Sequence, residues 1–160
     1  MKTGDLIVVY KKDGIKDGFF DNTIASMTGD NAFHVAIVVK RFGTILLLDT
    51  NIEDDTRLVG LSEVVRGYKW KLLGLKQPLM NIDQFNRDLP KILKKKYMSV
   101  WDLSKVWLNR AFGWNLGVNN WNCARLSAWI YKKYHTSEVK SKNIFPRDFE
   151  DLYELRGMFQ

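Results

Sequence analysis

Two apolar runs, HVAIVV (34–39) and TILLLDT (44–50), face each other across the short connection Arg41-Phe42-Gly43. Runs this short, rich in β-branched residues and bounded by a turn, read as the two strands of a hairpin. Neither alternates apolar with polar, so both faces of each strand are to be covered. That places the hairpin in the middle of a sheet with layers packed on both sides. A connection centred on 41–43 sets residue 34 roughly opposite residue 50. Asp49 then lies beside the cross-strand partner of His34.

Other elements are read around this hairpin. LIVVY (6–10) is a short buried strand following Gly4-Asp5. KKDGIKDG (11–18), with two Asp-Gly steps, is a polar turn region, and TIASMT (23–28) has room for one or two helical turns. NIEDD (51–55) reads as a loop. RLVGLSEVV (57–65) reads as strand and then a turn of helix, and YKWKLLGL (68–75) as another strand. Past Pro78 the pattern changes to helical spacing. Residues 82–97 place Ile82, Phe85, Leu89, Ile92 and Leu93 on one side, with Pro90 dividing or kinking the run. SVWDLSKVWLNRAFG (99–113) is a second helix and NLGVNN (115–120) a loop. CARLSAWIYKKY (123–134) is the clearest helix, with a core stripe of Leu126, Ala128, Trp129, Ile130 and Tyr134. FPRDFEDLYELRG (145–157) reads as a last helix, with Pro146 near its start and Gly157 at its end. Strands come first and helices after, so the fold class is α+β. No repeat, low-complexity tract or linker interrupts residues 1–160, which read as one domain.

The chain of 160 residues holds one cysteine and two histidines, His34 and His135. A disulfide framework and a multi-cysteine zinc site are excluded, and no metal or cofactor is expected. The apolar run in MKTGDLIVVYKK is too short for a signal-peptide core or a membrane span. The expectation is a protein cytoplasmic at synthesis, reaching a cell envelope only by delivery from a virus or by lysis. A net charge of +7 favours an anionic partner such as cell-wall polymer, phospholipid headgroups or nucleic acid.

Cys123 opens the clearest helix. Asn120 or Asn122 is placed to cap it, so the thiol falls in the first turn, where free N–H groups and the helix dipole favour a thiolate. Arg125 adds positive charge, and the same N–H groups can hold an oxyanion. Packing is the competing role, because free cysteine is among the most buried residue types. His34, at the mouth of its strand, is the candidate general base, with a solvated strand-end histidine as the plainer reading. Asp49 is the candidate that orients the imidazole, with Glu53 and Asp54 in reserve. Tyr97 and Trp121 are candidate cleft residues or core aromatics. KILKKKY (91–97) with Trp101 and Trp107 could contact phosphates and stack on bases, although a basic helix face with core tryptophans is the commoner arrangement, so a nucleic acid is not the expected partner.

Several segments, in order, resemble the circularly permuted NlpC/P60 proteins, a papain-like superfamily that includes the YiiX-like and poxvirus-type permuted cysteine hydrolases and the lecithin:retinol acyltransferase relatives. They are GDLIVV (4–9), IASMTGDNAFHVAIVV (24–39), ILLLDTN (45–51), RLVGLSEVVRGY (57–68), KKYMSVWDL (95–103), NCARLSAWIYKKY (122–134) and PRDF (146–149). The chain departs from that pattern at three places: Phe33 where a small residue is common, Asp49 where glutamate is usual, and Lys95-Lys96 where Gly-Pro is usual. The resemblance implies a permuted papain-like core, a central antiparallel sheet with the cysteine helix packed against it. It implies a triad in the chain order His34, Asp49, Cys123. It also implies a cysteine hydrolase cutting an amide, in a short or cell-wall-type peptide with a γ-linked glutamate. The alternatives are a lipid-directed thiol acyltransferase or esterase, and a non-catalytic basic binding module.

Overall fold

The computed structural model describes residues 1–11, 31–51, 54–77, 79–135, 144–151 and 155–158. The turn expected at 11–18 lies, beyond Lys11, outside the described residues, as does the helical stretch expected at 23–28. Six strands form one antiparallel sheet: β1 (Leu6–Tyr10), β2 (Ala32–Arg41), β3 (Thr44–Asn51), β4 (Asp55–Gly60), β5 (Lys69–Leu75) and β6 (Leu155–Met158). Their order across the sheet is β4-β3-β2-β1-β5-β6. The described helices are α1 (Leu61–Val65), α2 (Ile82–Ile92), α3 (Val100–Phe112) and α4 (Cys123–Tyr134), with a 3₁₀ turn at Pro146–Phe149. The class is α+β. Among the described residues no helix is long and apolar enough to cross a membrane.

The absence of alternation in the central strands has the expected cause. Leu6, Val8, Val35, Ile37, Val39 and Leu48 pack on one side against Leu126, Ile130 and Tyr131 of α4 and against Phe85 and Leu89 of α2. Ile7, Val9, Ala36, Val38 and Leu47 pack on the other side, with Leu61, Val64 and Val65 of α1 against them. Leu6 through Val9 are fully buried, so each residue of β1 contributes to a core whichever way it points.

The hairpin differs from the sequence expectation by one residue. Arg41 pairs with Thr44, so the connection is the two-residue turn Phe42-Gly43. Both turn residues have positive φ, 47° and 81°, as a type I′ turn requires. The ladder runs from there to Ile37↔Leu48. Counted on, Asp49 falls opposite Ala36, two residues from His34 and on the same side. In the register expected from sequence the two side chains would point to opposite faces, because strand side chains alternate.

Three further readings are corrected. The helix expected at 82–97 stops at Ile92, with Ile82 exposed and Leu93 half-buried rather than both in the core. Pro90 lies in its last turn, and Tyr97 forms an isolated parallel bridge with Trp121 instead of continuing the helix. The helix expected at 145–157 is a single 3₁₀ turn followed by β6, which pairs with the edge of β5. The loop expected at 51–55 is shorter, since Asn51 ends β3 and Asp55 begins β4 as its partner. Helix α4 spans the expected residues; Trp129 of its predicted core stripe is only half-buried.

Candidate active site

β2 and α4 carry two of the candidate residues, His34 and Cys123. Asn122 is the N-cap of α4: its side-chain oxygen accepts from the Arg125 N–H at 2.7 Å, and its carbonyl accepts from the Leu126 N–H at 2.9 Å. Asn120 does not cap the helix. The N–H groups of Cys123 and Ala124, one and two positions past the cap, are the first-turn donors left over. Cys123 is buried, 6% exposed, at the rim of the α4-side core.

His34 sits at a β-bulge. Val9 pairs with His34 and Tyr10 with Ala32, so Phe33 is the extra residue. Bulges bend a strand and re-aim the side chains beside them. Here the side chain reaches both Asp49 and the Cys123 sulfur. Nε2–H donates to Asp49 Oδ1 at 2.6 Å, which leaves Nδ1 as the ring atom for the thiol. Burial alone would lower the imidazole pKa. Electrostatic interaction with Cys123 and with the Asp49 carboxylate, and hydrogen bonds to both, outweigh it and hold His34 well above the ordinary histidine value.

Asp49 is buried at 3% exposure and has three supports. Besides His34, Asn51 Nδ2 donates to Oδ2 at 3.0 Å, and Arg57, its cross-strand partner on β4, brings Nε to 4.0 Å from the same oxygen. Burial opposes the charge, but His34, Asn51 and Arg57 together hold the carboxyl below the usual carboxylate range. Arg57 is itself fixed by Asp54 at 3.2 Å and Glu63 at 2.8 Å. Asp54 is therefore an exposed partner of Arg57 and not a partner of His34, and Glu53 lies outside the described residues.

Sequence reasoning missed Asn51 and Arg57. Asn51 was within reach, because a residue two positions from Asp49 on the same strand shares its face. Arg57 required the β3–β4 register, which the apparent loop at 51–55 concealed.

Tyr97 and Trp121 are bridged to each other on the segments before α4. The Tyr97 N–H donates to Asp55 Oδ1 at 2.8 Å, and Met98 N–H donates to the Trp121 carbonyl at 2.8 Å. Asp55 accepts from a conformation with φ 58°, which aspartate tolerates better than most residues. The two segments thus pin each other immediately before α4. Trp121 packs on Trp129 at 5.4 Å between ring centroids, with Lys95 Nζ 4.1 Å from its centroid. Arg125 does not reach toward the sulfur. Its Nη1 donates to the carbonyls of Val118 and Asn120, both at 2.9 Å, and the guanidinium lies over the Trp121 ring. It closes the 113–120 loop on the helix. A cavity of about 240 Å³, lined in part by Val106, Asn109, Leu116, Val118 and Arg125, lies under that loop and is not lined by Cys123, His34 or Asp49.

His135, the other histidine, ends α4, buried and with no hydrogen-bond partner for Nδ1 among the described residues. It belongs to no such cluster. Among the described residues no group of three or more His, Cys, Asp and Glu side chains is arranged to hold a metal ion.

No protein-family profile matches the chain. No curated protein matches it either. Its fold is similar to a solved one, the crystal structure of metalloprotein yiiX from Escherichia coli O157:H7 (DUF1105). The TM-score is 0.68 over 99% of this chain and 97% of that one, at 13% sequence identity. At that identity the likeness extends to the fold: this chain has a YiiX-like α+β fold.

Proposed function

We propose that the protein is a cysteine-dependent hydrolase of the circularly permuted NlpC/P60, papain-like type, cutting an amide bond through Cys123, His34 and Asp49. The observation that carries this is His34 bridging a buried carboxylate and a thiol at a helix N-terminus. In this reading the three serve as nucleophile, base and orienting acid, the roles that thiol catalysis requires. The YiiX-like fold and the chain order of the three residues support the same reading.

In this mechanism His34 holds the proton of Cys123, and the thiolate attacks the carbonyl carbon. The oxyanion is taken up by the N–H of Cys123, with Ala124 next to it. His34 gives its proton to the leaving amine, and a thioester remains on Cys123. Neutral His34 then takes a proton from water, whose oxygen attacks the thioester, and the sulfur leaves as the acid is released. Asp49 stabilises the imidazolium at both stages without accepting its proton. Tyr97 and Trp121, on the segment before the nucleophile, are proposed to line the substrate approach.

The fold neighbour is described as a metalloprotein. The donors here do not fit a metal. Asp49 occupies Nε2 of His34, and no group of three or more His, Cys, Asp and Glu side chains among the described residues is arranged to hold a metal ion. No step is routed through a metal.

The substrate class proposed first is a short or cell-wall-type peptide, whose anionic polymer suits a chain of charge +7. The test is incubation with peptidoglycan fragments, N-acyl amino acids and phospholipids, followed by mass spectrometry of the protein, with Cys123→Ala as control. A transient acyl adduct on Cys123 with a new amine product is the expected result. No adduct on any substrate, with the thiol inert to iodoacetamide, sinks the catalytic reading. Turnover of phospholipid alone replaces the amidase by a lipid-directed acyltransferase or esterase.

A further inference from the structure

Helix α3 buries one face and presents a second, largely aromatic one that the described residues leave exposed. Leu103, Val106 and Asn109 point inward and are buried. At 100° per residue, Trp101, Lys105, Leu108 and Phe112 fall on a second stripe, about 120° round the helix from the buried one. Trp101 is 68% exposed and Phe112 60%. Trp114, just past the C-terminal Gly113, extends the stripe: it is 53% exposed and packs on Phe112 with ring centroids 5.4 Å apart. Soluble surfaces seldom spend two tryptophans and a phenylalanine this way without an occupant.

The charges on the chain leading into α3 point to the occupant. Lys91, Lys94 and Lys96 are exposed on the segment leading into α3, and none has a carboxylate partner among the described residues. The carboxylates on or bonded to α3 are already neutralised, Asp102 by Lys105 at 3.2 Å and Asp148 by Arg110. A row of amphipathic indoles and a phenyl ring, preceded in the chain by exposed lysines without a carboxylate partner among the described residues, matches the layering of an anionic bilayer surface. Rings occupy the acyl boundary and ammonium groups the phosphates. A protein groove would not require the lysines. A nucleic acid would not require Phe112 and Trp114 exposed beyond the basic segment.

We propose that the outer face of α3, with Trp114, docks the protein on membranes containing anionic phospholipid. This is independent of the thiol chemistry and requires no lipid to be its substrate.

The test is co-sedimentation with vesicles of phosphatidylcholine alone and of phosphatidylcholine mixed with phosphatidylglycerol, in low and high salt. The native chain is expected to bind the mixed vesicles and to release as salt rises. Trp101→Ala/Phe112→Ala/Trp114→Ala should lower the partition coefficient at least about tenfold. Lys91→Gln/Lys94→Gln/Lys96→Gln should lower it on the order of a hundredfold at low salt, at about fivefold per lysine. Cys123→Ala should bind as the native chain does, which separates this proposal from the catalytic one. All six positions are exposed, and an unchanged far-UV circular dichroism melt shows that the variants fold. The proposal is overturned if the native chain ignores mixed vesicles or if the aromatic variant binds them undiminished. Two other results also overturn it: a concentration-dependent dimer abolished by the aromatic variant, or single-stranded RNA bound through these residues in preference to vesicles.

Discussion

Replacing Asp49 separates the two roles proposed for it, orientation and charge, and hydrogen-bond energetics give a magnitude to each. Asn in place of Asp preserves shape and an oxygen acceptor for His34 Nε2–H but removes the charge. A hydrogen bond to a charged group contributes about 1.5–3 kcal/mol and a neutral one about 0.5–1.5, so Asp49→Asn weakens the hold on the imidazolium by roughly 1–1.5 kcal/mol. At 1.36 kcal/mol per tenfold that is a loss of about five- to thirteenfold in the ion-paired form. Asp49→Ala removes the whole interaction and leaves Arg57 facing a gap, for a loss of roughly ten- to 150-fold. Because Cys123 is the only cysteine, its alkylation by iodoacetamide near neutral pH reads the ion-paired form directly. The expected order of rates is native, then Asp49→Asn, then Asp49→Ala, with His34→Gln no faster than the last. Equal rates for native and both Asp49 variants, with His34→Gln slow, would refute the role assigned to the carboxylate while keeping the histidine. Equal rates for all four would refute the constellation.

Four further outcomes are expected. The raised His34 pKa means that its share of stability is complete below the unfolded value of about 6.5 and is lost as pH rises through the folded value. Urea titrations should therefore show native stability falling relative to His34→Gln above pH 6.5, and parallel curves would count against it. Asp88 is held low by hydrogen bonds from Lys133 first, then Gln84 and Tyr134, so its contribution is present above about pH 3.9 and fades as pH falls through the folded value. Asp88→Asn should remove that part of the acid-unfolding slope. A Cβ on Gly4 would lie 2.7 Å from both Leu75 Cδ1 and Leu79 Cγ, at φ 96°, so Gly4→Ala should cost about 2–4 kcal/mol in chemical unfolding. Phe42 is 99% exposed at φ 47° in the first turn position, where asparagine is preferred, so Phe42→Asn should stabilise by about 1 kcal/mol in the same assay.

What the sequence made legible is local. The β1, β2 and β3 runs, the α4 boundaries and the Asn122 cap each follow from residues within a few positions of one another. What it concealed depends on partners far along the chain. β6 is four residues, LRGM, and becomes a strand because β5, some eighty positions earlier, offers an open edge. Read alone, PRDFEDLYELRG has helical spacing and a proline where a helix would start. The end of α2 is similar. The lysines at 94–96 are good helix formers, but the bridge between Tyr97 and Trp121 and the hold of both indoles on Lys95 require the chain to leave the helix there through a turn.

The site was legible as composition before it was legible as geometry. Cys123 at a helix start, His34 at a strand mouth and Asp49 on the next strand could be named from the chain. The register that joins two of them could not, because it turns on Phe42. A phenylalanine is a poor residue for positive φ, so the sequence favours a three-residue connection. That connection would have put His34 and Asp49 on opposite faces. The folded chain accepts the unfavourable Phe42 conformation and gains a ladder in which the two lie on one side, 2.6 Å apart. At about 1–2 kcal/mol the strain is no larger than the charge-assisted hydrogen bond that the register permits. It is smaller still than the cost of turning Leu47 and Leu48 out of the cores they fill on either side of the sheet. The cores therefore select the register, and the His34–Asp49 pair follows from it.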